Sequence, residues 1–120
     1  EAPDVTLTNA LLNGYTDLRT EKAMNKAHKI YKRVKKPTQA THNTMIKGYN
    51  GITKVDEALK IYTKMRPNVI SKTTMINGLG RLGTLEAIKK AMEIYETIEQ
   101  PDQKLFDTMV GVLKREGSPE

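Results

Sequence analysis

Cysteine and tryptophan are absent from the 120 residues, and phenylalanine occurs once. Without Cys there can be no disulfide, no thiolate metal site and no thiol nucleophile, and the composition suits a reducing compartment or an organelle matrix. So few large rings rule out a wide aromatic core, so the placement of a modest apolar fraction, 38%, must hold the fold together. No run approaches the roughly 18 consecutive apolar residues of a helical membrane span. No secretory signal pattern opens the chain. It starts at Glu1 and not Met, as a processed product or a fragment would. Catalytic constellations are missing too. His28 and His42 belong to no metal-ligand spacing or Ser/His/Asp set, and no phosphate-cradling Gly loop is visible. The expectation is a protein that is not an enzyme and holds no cofactor or metal.

Acidic charge is in deficit. Twenty basic against 14 acidic side chains leave +6, and the excess lies early. Residues 1–38 carry 8 basic and 4 acidic groups, 39–68 carry 5 and 2, 69–102 carry 4 and 5, and 103–120 carry 3 and 3. A polyanion would be drawn to the first half. The same lysines read equally well as solvated helix faces.

What is there is a repeat. Pro3, Pro37, Pro67 and Pro101 are spaced by 34, 30 and 34 residues, with a fifth proline at Pro119. Asp4, Thr38, Asn68 and Asp102 follow the first four. Each of these side chains can accept from the free N–H groups of a helix start, so four helix starts are predicted. An apolar set comes after each cap: Leu11, Leu12 and Tyr15; Met45, Ile46 and Tyr49; Met75, Ile76 and Leu79; Met109, Val110 and Leu113. Spacing of i, i+1, i+4 puts each set on one helical stripe. In three copies a Gly (Gly14, Gly48, Gly78) follows the second apolar residue by two, costing the helix roughly 1 kcal/mol against Ala. That predicts close approach of a neighbouring helix at all three.

A second helix follows with the signature A-x-x-I-Y-x-x-[V/M/I]. It comprises Ala27, Ile30, Tyr31 and Val34, then Ala58, Ile61, Tyr62 and Met65, then Ala91, Ile94, Tyr95 and Ile98. Offsets of 0, 3, 4 and 7 give one inward face, which assigns the three tyrosines to the core. Thr53 to Asp56 reads as a capping box, and Gly83-Thr84 as a turn and helix start. The Gly-to-Ala interval is 13 residues in the first and third copies and 10 in the middle one. The outer two second helices should therefore be longer at their start. His28, on a Lys-rich helix, is expected to be exposed, and Glu93, Glu96 and Glu99 to form a solvated face. The repeats run 5–38, 39–68 and 69–102. The first helix of an incomplete fourth occupies 103–120. The fold expected is an all-α solenoid of helix-turn-helix hairpins, about seven helices in one array, cut from a longer one or packed on a partner.

One polar residue recurs five positions after each cap: Asn9, Asn43, Thr73 and Asp107. It lies about a third of a turn from the apolar stripe, at the edge of the core or outside it.

With these residues in hand, the chain resembles the pentatricopeptide repeat family. V-T-L-T-N-A-L-L-N-G-Y, A-T-H-N-T-M-I-K-G-Y and V-I-S-K-T-T-M-I-N-G-L are similar to the family's opening motif, and V-D-E-A-L-K-I-Y-T-K-M to its second helix. The 30-residue middle copy departs from the family's common length of about 35 and is similar to its short class. His42, Lys72 and Phe106 stand where an aromatic is common, with His42 a packing substitute.

The resemblance implies a right-handed superhelix whose first helices line a concave groove for single-stranded RNA, one base per repeat. It implies work in mitochondria, or alternatively chloroplasts, on RNA processing, stability, editing or translation, alone or with protein subunits of a ribonucleoprotein such as an organellar ribosome. Asn9, Asn43, Thr73 and Asp107 would face base edges. Their partners just before the next repeat would pair Asn9 with Thr38, Asn43 with Asn68, and Thr73 with Asp102. The first two pairs lean to pyrimidines and the third to guanine. Thr6, Ala40, Ile70 and Lys104 match the position that packs on base faces. Thr38, Asn68 and Asp102 are also good caps without any RNA. A tetratricopeptide-like scaffold with a peptide in the groove is the alternative.

Overall fold

The Pro-polar pairs do open helices. The structure, a computed structural model, describes residues 5–117, so Asp4, the first expected cap, lies outside the described residues, as does Pro119. At the other three starts the side chain accepts from the backbone three residues on. Thr38 Oγ1 takes the Thr41 N–H at 3.3 Å, Asn68 Oδ1 that of Ser71 at 2.9 Å, and Asp102 Oδ1 that of Leu105 at 2.8 Å. Such a cap stabilises a helix by about 1 kcal/mol.

Seven helices and no strand make up the described residues. They are α1 (Val5–Asp17), α2 (Glu21–Arg33), α3 (Gln39–Gly51), α4 (Val55–Lys64), α5 (Val69–Leu82), α6 (Leu85–Glu96) and α7 (Gln103–Gly117). The second helices each begin seven residues after the repeat's Gly, and α4 has 10 residues against 13 in α2 and 12 in α6. The turn missing from α4 is its first, as the Gly-to-Ala interval predicts.

The turns inside the hairpins share one geometry. Arg19, Thr53 and Gly83 stand five residues after Gly14, Gly48 and Gly78, and have φ of 52°, 63° and 72°. A left-handed residue here ends the first helix. Thr20 and Thr84 follow as N-caps, accepting from Ala23 and Ala87. The expected capping box at Thr53–Asp56 does not form. Thr53 is consumed by the left-handed turn, and the N-cap is Lys54, which makes no side-chain cap bond. The middle hairpin therefore combines a strained non-Gly turn with an uncapped helix.

The helices stack in two layers. In the first-helix layer α1 packs on α3, α3 on α5 and α5 on α7, whereas among the described residues α2, α4 and α6 pack on first helices and not on one another. A layer in contact beside a layer spread apart bends the array toward the first helices. The molecule is elongated, 54 × 31 × 21 Å.

Between the layers lies the core. Leu12, Met24, Met45, Ile46, Met75 and Ile76 are at most 1% exposed. Complete burial of side chains this size contributes roughly 1.5–3 kcal/mol each. Ala27, Ala58 and Ala91, the small residues of the second-helix signature, are fully buried where the layers meet. Tyr31, Tyr62 and Tyr95 are half-buried, their rings packed against the core cluster. Two members of the apolar sets are exposed instead: Leu11 at 50% and Leu113 at 40%. Among the described residues α1 has a first helix on one side only, and α7 has no second helix following it. The stripe continues past the neighbours that would cover it.

First helices meet at keyed joints. A Cβ on Gly48 would lie 2.6 Å from Thr16 Cγ2, and one on Gly78 would fall on the Asn50 amide. In the next joint the small residue has changed sides, and a Cβ on Gly80 would lie 2.6 Å from Val112 Cγ2. Gly14 breaks the expectation of close approach, since a Cβ there meets nothing within 4 Å. No first helix lies on that side of α1 among the described residues.

Candidate nucleic-acid interface

The exposed side of the first-helix layer carries the recurring polar positions, because each lies off the apolar stripe by the angle the sequence dictates. Asn9, Asn43 and Thr73 are half-buried at the rim of the core, and Asp107 is exposed. Thr6, Ala40, Ile70 and Lys104, one turn earlier on the same helices, are exposed, Ile70 by 63%. Ile70, with the exposed Val69 beside it, presents an apolar surface at this start of α5.

Hydrogen bonds join the first expected pair through a residue that sequence reasoning missed. Thr41 Oγ1 donates to Asn9 Oδ1 at 2.8 Å and lies 3.1 Å from Thr38 Oγ1. Asn9 and Thr38 are thus held on two sides of one buried hydroxyl. In the next repeat Ser71 Oγ takes that place but donates to Asn68 Oδ1, at 2.9 Å. Asn43 Oδ1 is left buried without a hydrogen-bond partner. An unmade bond at a buried acceptor costs about 1–3 kcal/mol. The third repeat has Leu105 at this place, with no hydroxyl at all. The signal was in the sequence: Thr41 and Ser71 occupy the third residue of a capping box.

Capping fixes what the partners can offer. Asn68 Oδ1 accepts from both the Ser71 N–H and its hydroxyl, so the amide oxygen is committed inward. Asp102 commits Oδ1 to Leu105, while the residue stays exposed with its second carboxylate oxygen. Asp107 accepts from Gln103 Nε2 at 2.9 Å. Beside it a recess of about 340 Å³ opens between α5 and α7, walled by Asn77, Arg81, Asp107 and Thr108 over Gly80 and Gly111. That volume lies within the ~300–1,000 Å³ of small-ligand sites, and Arg81 puts a cation beside Asp107.

Histidines play parts the sequence reading did not give them. His28, expected to be exposed, is half-buried with Nδ1 2.8 Å from the Tyr49 hydroxyl. Tyr49 sits on a different helix 21 residues away, and only packing brings the two together. His42 stacks edge-on against Tyr31, with Nδ1 2.9 Å from its hydroxyl. Burial raises the Tyr31 phenol above its ordinary pKa and lowers that of the His42 imidazole. The phenol keeps its proton and the neutral ring can accept it. Glu93, Glu96 and Glu99 are exposed.

Residues 40–66 match the family model described as PPR repeat. The central hairpin is a PPR repeat. The match falls on the hairpin of α3 and α4, whose architecture α1–α2 and α5–α6 share. No curated protein matches the chain. PPR repeats build helical-hairpin solenoids, and the family points to RNA as the ligand of such an array. Among the described residues no helix is long and apolar enough to cross a membrane.

Proposed function

We propose that this PPR protein binds single-stranded RNA along its first-helix face, without catalysis, in a mitochondrion or alternatively a chloroplast. It would serve RNA processing, stability, editing or translation, alone or within a ribonucleoprotein such as an organellar ribosome. The observation that carries this reading is the recurrence, on the matched repeat and its neighbours, of one polar side chain at the rim of the core beside a capped helix start. Asn9 with Thr38 and Asn43 with Asn68 select pyrimidines, and Thr73 with Asp102 selects guanine. Asp107 opens the next position. Thr6, Ala40, Ile70 and Lys104 pack on base faces. The committed amide oxygen of Asn68 supports a donor role toward a pyrimidine carbonyl. The free oxygen of Asp102 supports acceptance from guanine N–H groups.

Labelled oligonucleotides test it. An RNA carrying pyrimidine-pyrimidine-G should bind more tightly than oligo-A, and binding should weaken as salt rises. Thr73→Asn should shift the third site from guanine toward a pyrimidine by about tenfold, the scale of one base contact. No salt-sensitive binding to any of these RNAs would reject the reading. Capture of extended peptides in its place would support a tetratricopeptide-like scaffold.

A further inference from the structure

Helix α2 differs from the other outer helices in its charge. From Lys22 to Lys36 there are seven basic side chains and no acidic one. Lys22, Lys26, Lys29 and Arg33 follow spacings of 4, 3 and 4. At 100° per residue they fall within an arc of about 60°. All four are exposed, and among the described residues none makes an ion pair. The stripe points away from Ala23, Met24 and Ala27, the buried side of α2. Like charges one turn apart repel and weaken a helix. The other outer helices avoid this by mixing signs, with Lys60 on Glu57 in α4 and Lys90 near Glu93 in α6. Only α2 tolerates an uncompensated row.

The stripe borders a cleft of about 580 Å³ between α2 and α4. Lys29, Lys32, Asn25 and His28 line one wall, and Lys54 and Glu57 the other. It exists because the outer helices do not touch. Glu21, the one acid of α2, is 3.3 Å from Lys54 and leaves the row unopposed.

We propose that the outer face of α2 is a second RNA-contact surface, which holds the phosphate backbone without reading sequence. The face suits a polyanion and not a protein: its exposed side chains are Lys, Arg, Asn and Glu with no apolar centre, whereas protein interfaces are depleted in Lys and built around apolar anchors. Lysines at about 4.5–6 Å axial intervals act as point charges along a strand. The cleft admits a phosphate or an unpaired nucleotide beside Lys29 and Lys32, the two lining lysines without an ion pair among the described residues. RNA long enough to leave the first-helix face could run over this one. The proposal rests on RNA being the ligand but not on the base-reading pairs.

The test compares the chain with a variant carrying Lys22→Gln, Lys26→Gln, Lys29→Gln and Arg33→Gln. Gln is nearly as good a helix former as Lys or Arg, and circular dichroism verifies the fold. RNA of about 20 nucleotides and RNA of about four are titrated over a range of salt. For the long RNA the variant should lose roughly tenfold in affinity, and its log–log salt slope should fall by about 3, the share of four single-strand phosphates. Affinity for the short RNA should change by less than about twofold. Lys89→Gln with Lys90→Gln on α6 should leave both unchanged. An unaltered long-RNA slope in the α2 variant overturns the proposal, whatever the short RNA does. Equal, stripe-dependent binding of poly-glutamate or phosphatidylserine vesicles overturns it as well. If the short RNA does not bind while long-RNA binding falls on neutralising α2, the base-reading proposal fails and the α2 surface stands.

Discussion

Gly14 and Gly78 hold the same place in their helices and meet opposite surroundings. A Cβ on Gly14 enters open space, while one on Gly78 lands on Asn50, which is 6% exposed. Gly14→Ala should therefore stabilise the protein by roughly 0.5–1 kcal/mol through helix propensity. Gly78→Ala should destabilise it by about 1–3 kcal/mol through overpacking. Urea midpoints of the two variants check both signs. Asn50 cannot simply move aside, since its Nδ2 donates to the Thr74 carbonyl at 3.1 Å. His42 gives a pH prediction. Burial lowers its pKa, so the unfolded chain binds the proton more readily. Its contribution is intact above the unfolded value of about 6.5 and is lost as pH falls through that value toward the folded one. Thermal midpoints between about pH 7.5 and 5.5 should fall more in the parent than in His42→Phe, which keeps the ring but cannot titrate.

Among the elements, α4 is the outlier, and its turn explains why. Three hairpins need a left-handed residue at one place, but only Gly83 adopts it without steric cost. Thr53→Gly should relieve about 1 kcal/mol of strain against a smaller loss from a more flexible unfolded chain. A higher urea midpoint would register the difference. This turn also shows what the sequence could and could not disclose. Thr38, Asn68, Asp102 and Thr84 were legible because a cap is local chemistry, fixed within three residues. The length of α4 was legible from the Gly-to-Ala interval for the same reason. The left-handed Arg19 and Thr53 were not, because hairpin closure imposes them on residues that do not prefer them. Nor were the Tyr49–His28 contact and the Thr41 bridge to Asn9, each spanning helices distant in sequence.

At the scale of the molecule, contacts among the described residues run only within a hairpin and between it and its neighbours. Stability is then a sum of units and joints, and opening starts at the ends. Amide hydrogen exchange should be slowest in α3 and α5, which carry Met45, Ile46, Met75 and Ile76, and faster in α1 and α7, where Leu11 and Leu113 meet solvent. Uniform protection across all seven helices would contradict this. The Cα radius of gyration of 15.0 Å exceeds the ~13.6 Å of a compact chain this long. That excess is the elongation that a nearest-neighbour stack produces.

The keyed joints also fix an order. Thr16 fits over Gly48 and Asn50 over Gly78, while Gly80 makes room for Val112. If α7 were spliced directly after the middle hairpin, Asn50 and Val112 would compete for one space. If a Gly78-type helix followed α5, two glycines would face each other across a void. The hairpins are therefore not interchangeable modules despite their common plan. Any shuffling of this array must carry each joint's two halves together, and the unit of exchange is the seam between hairpins, not the hairpin itself.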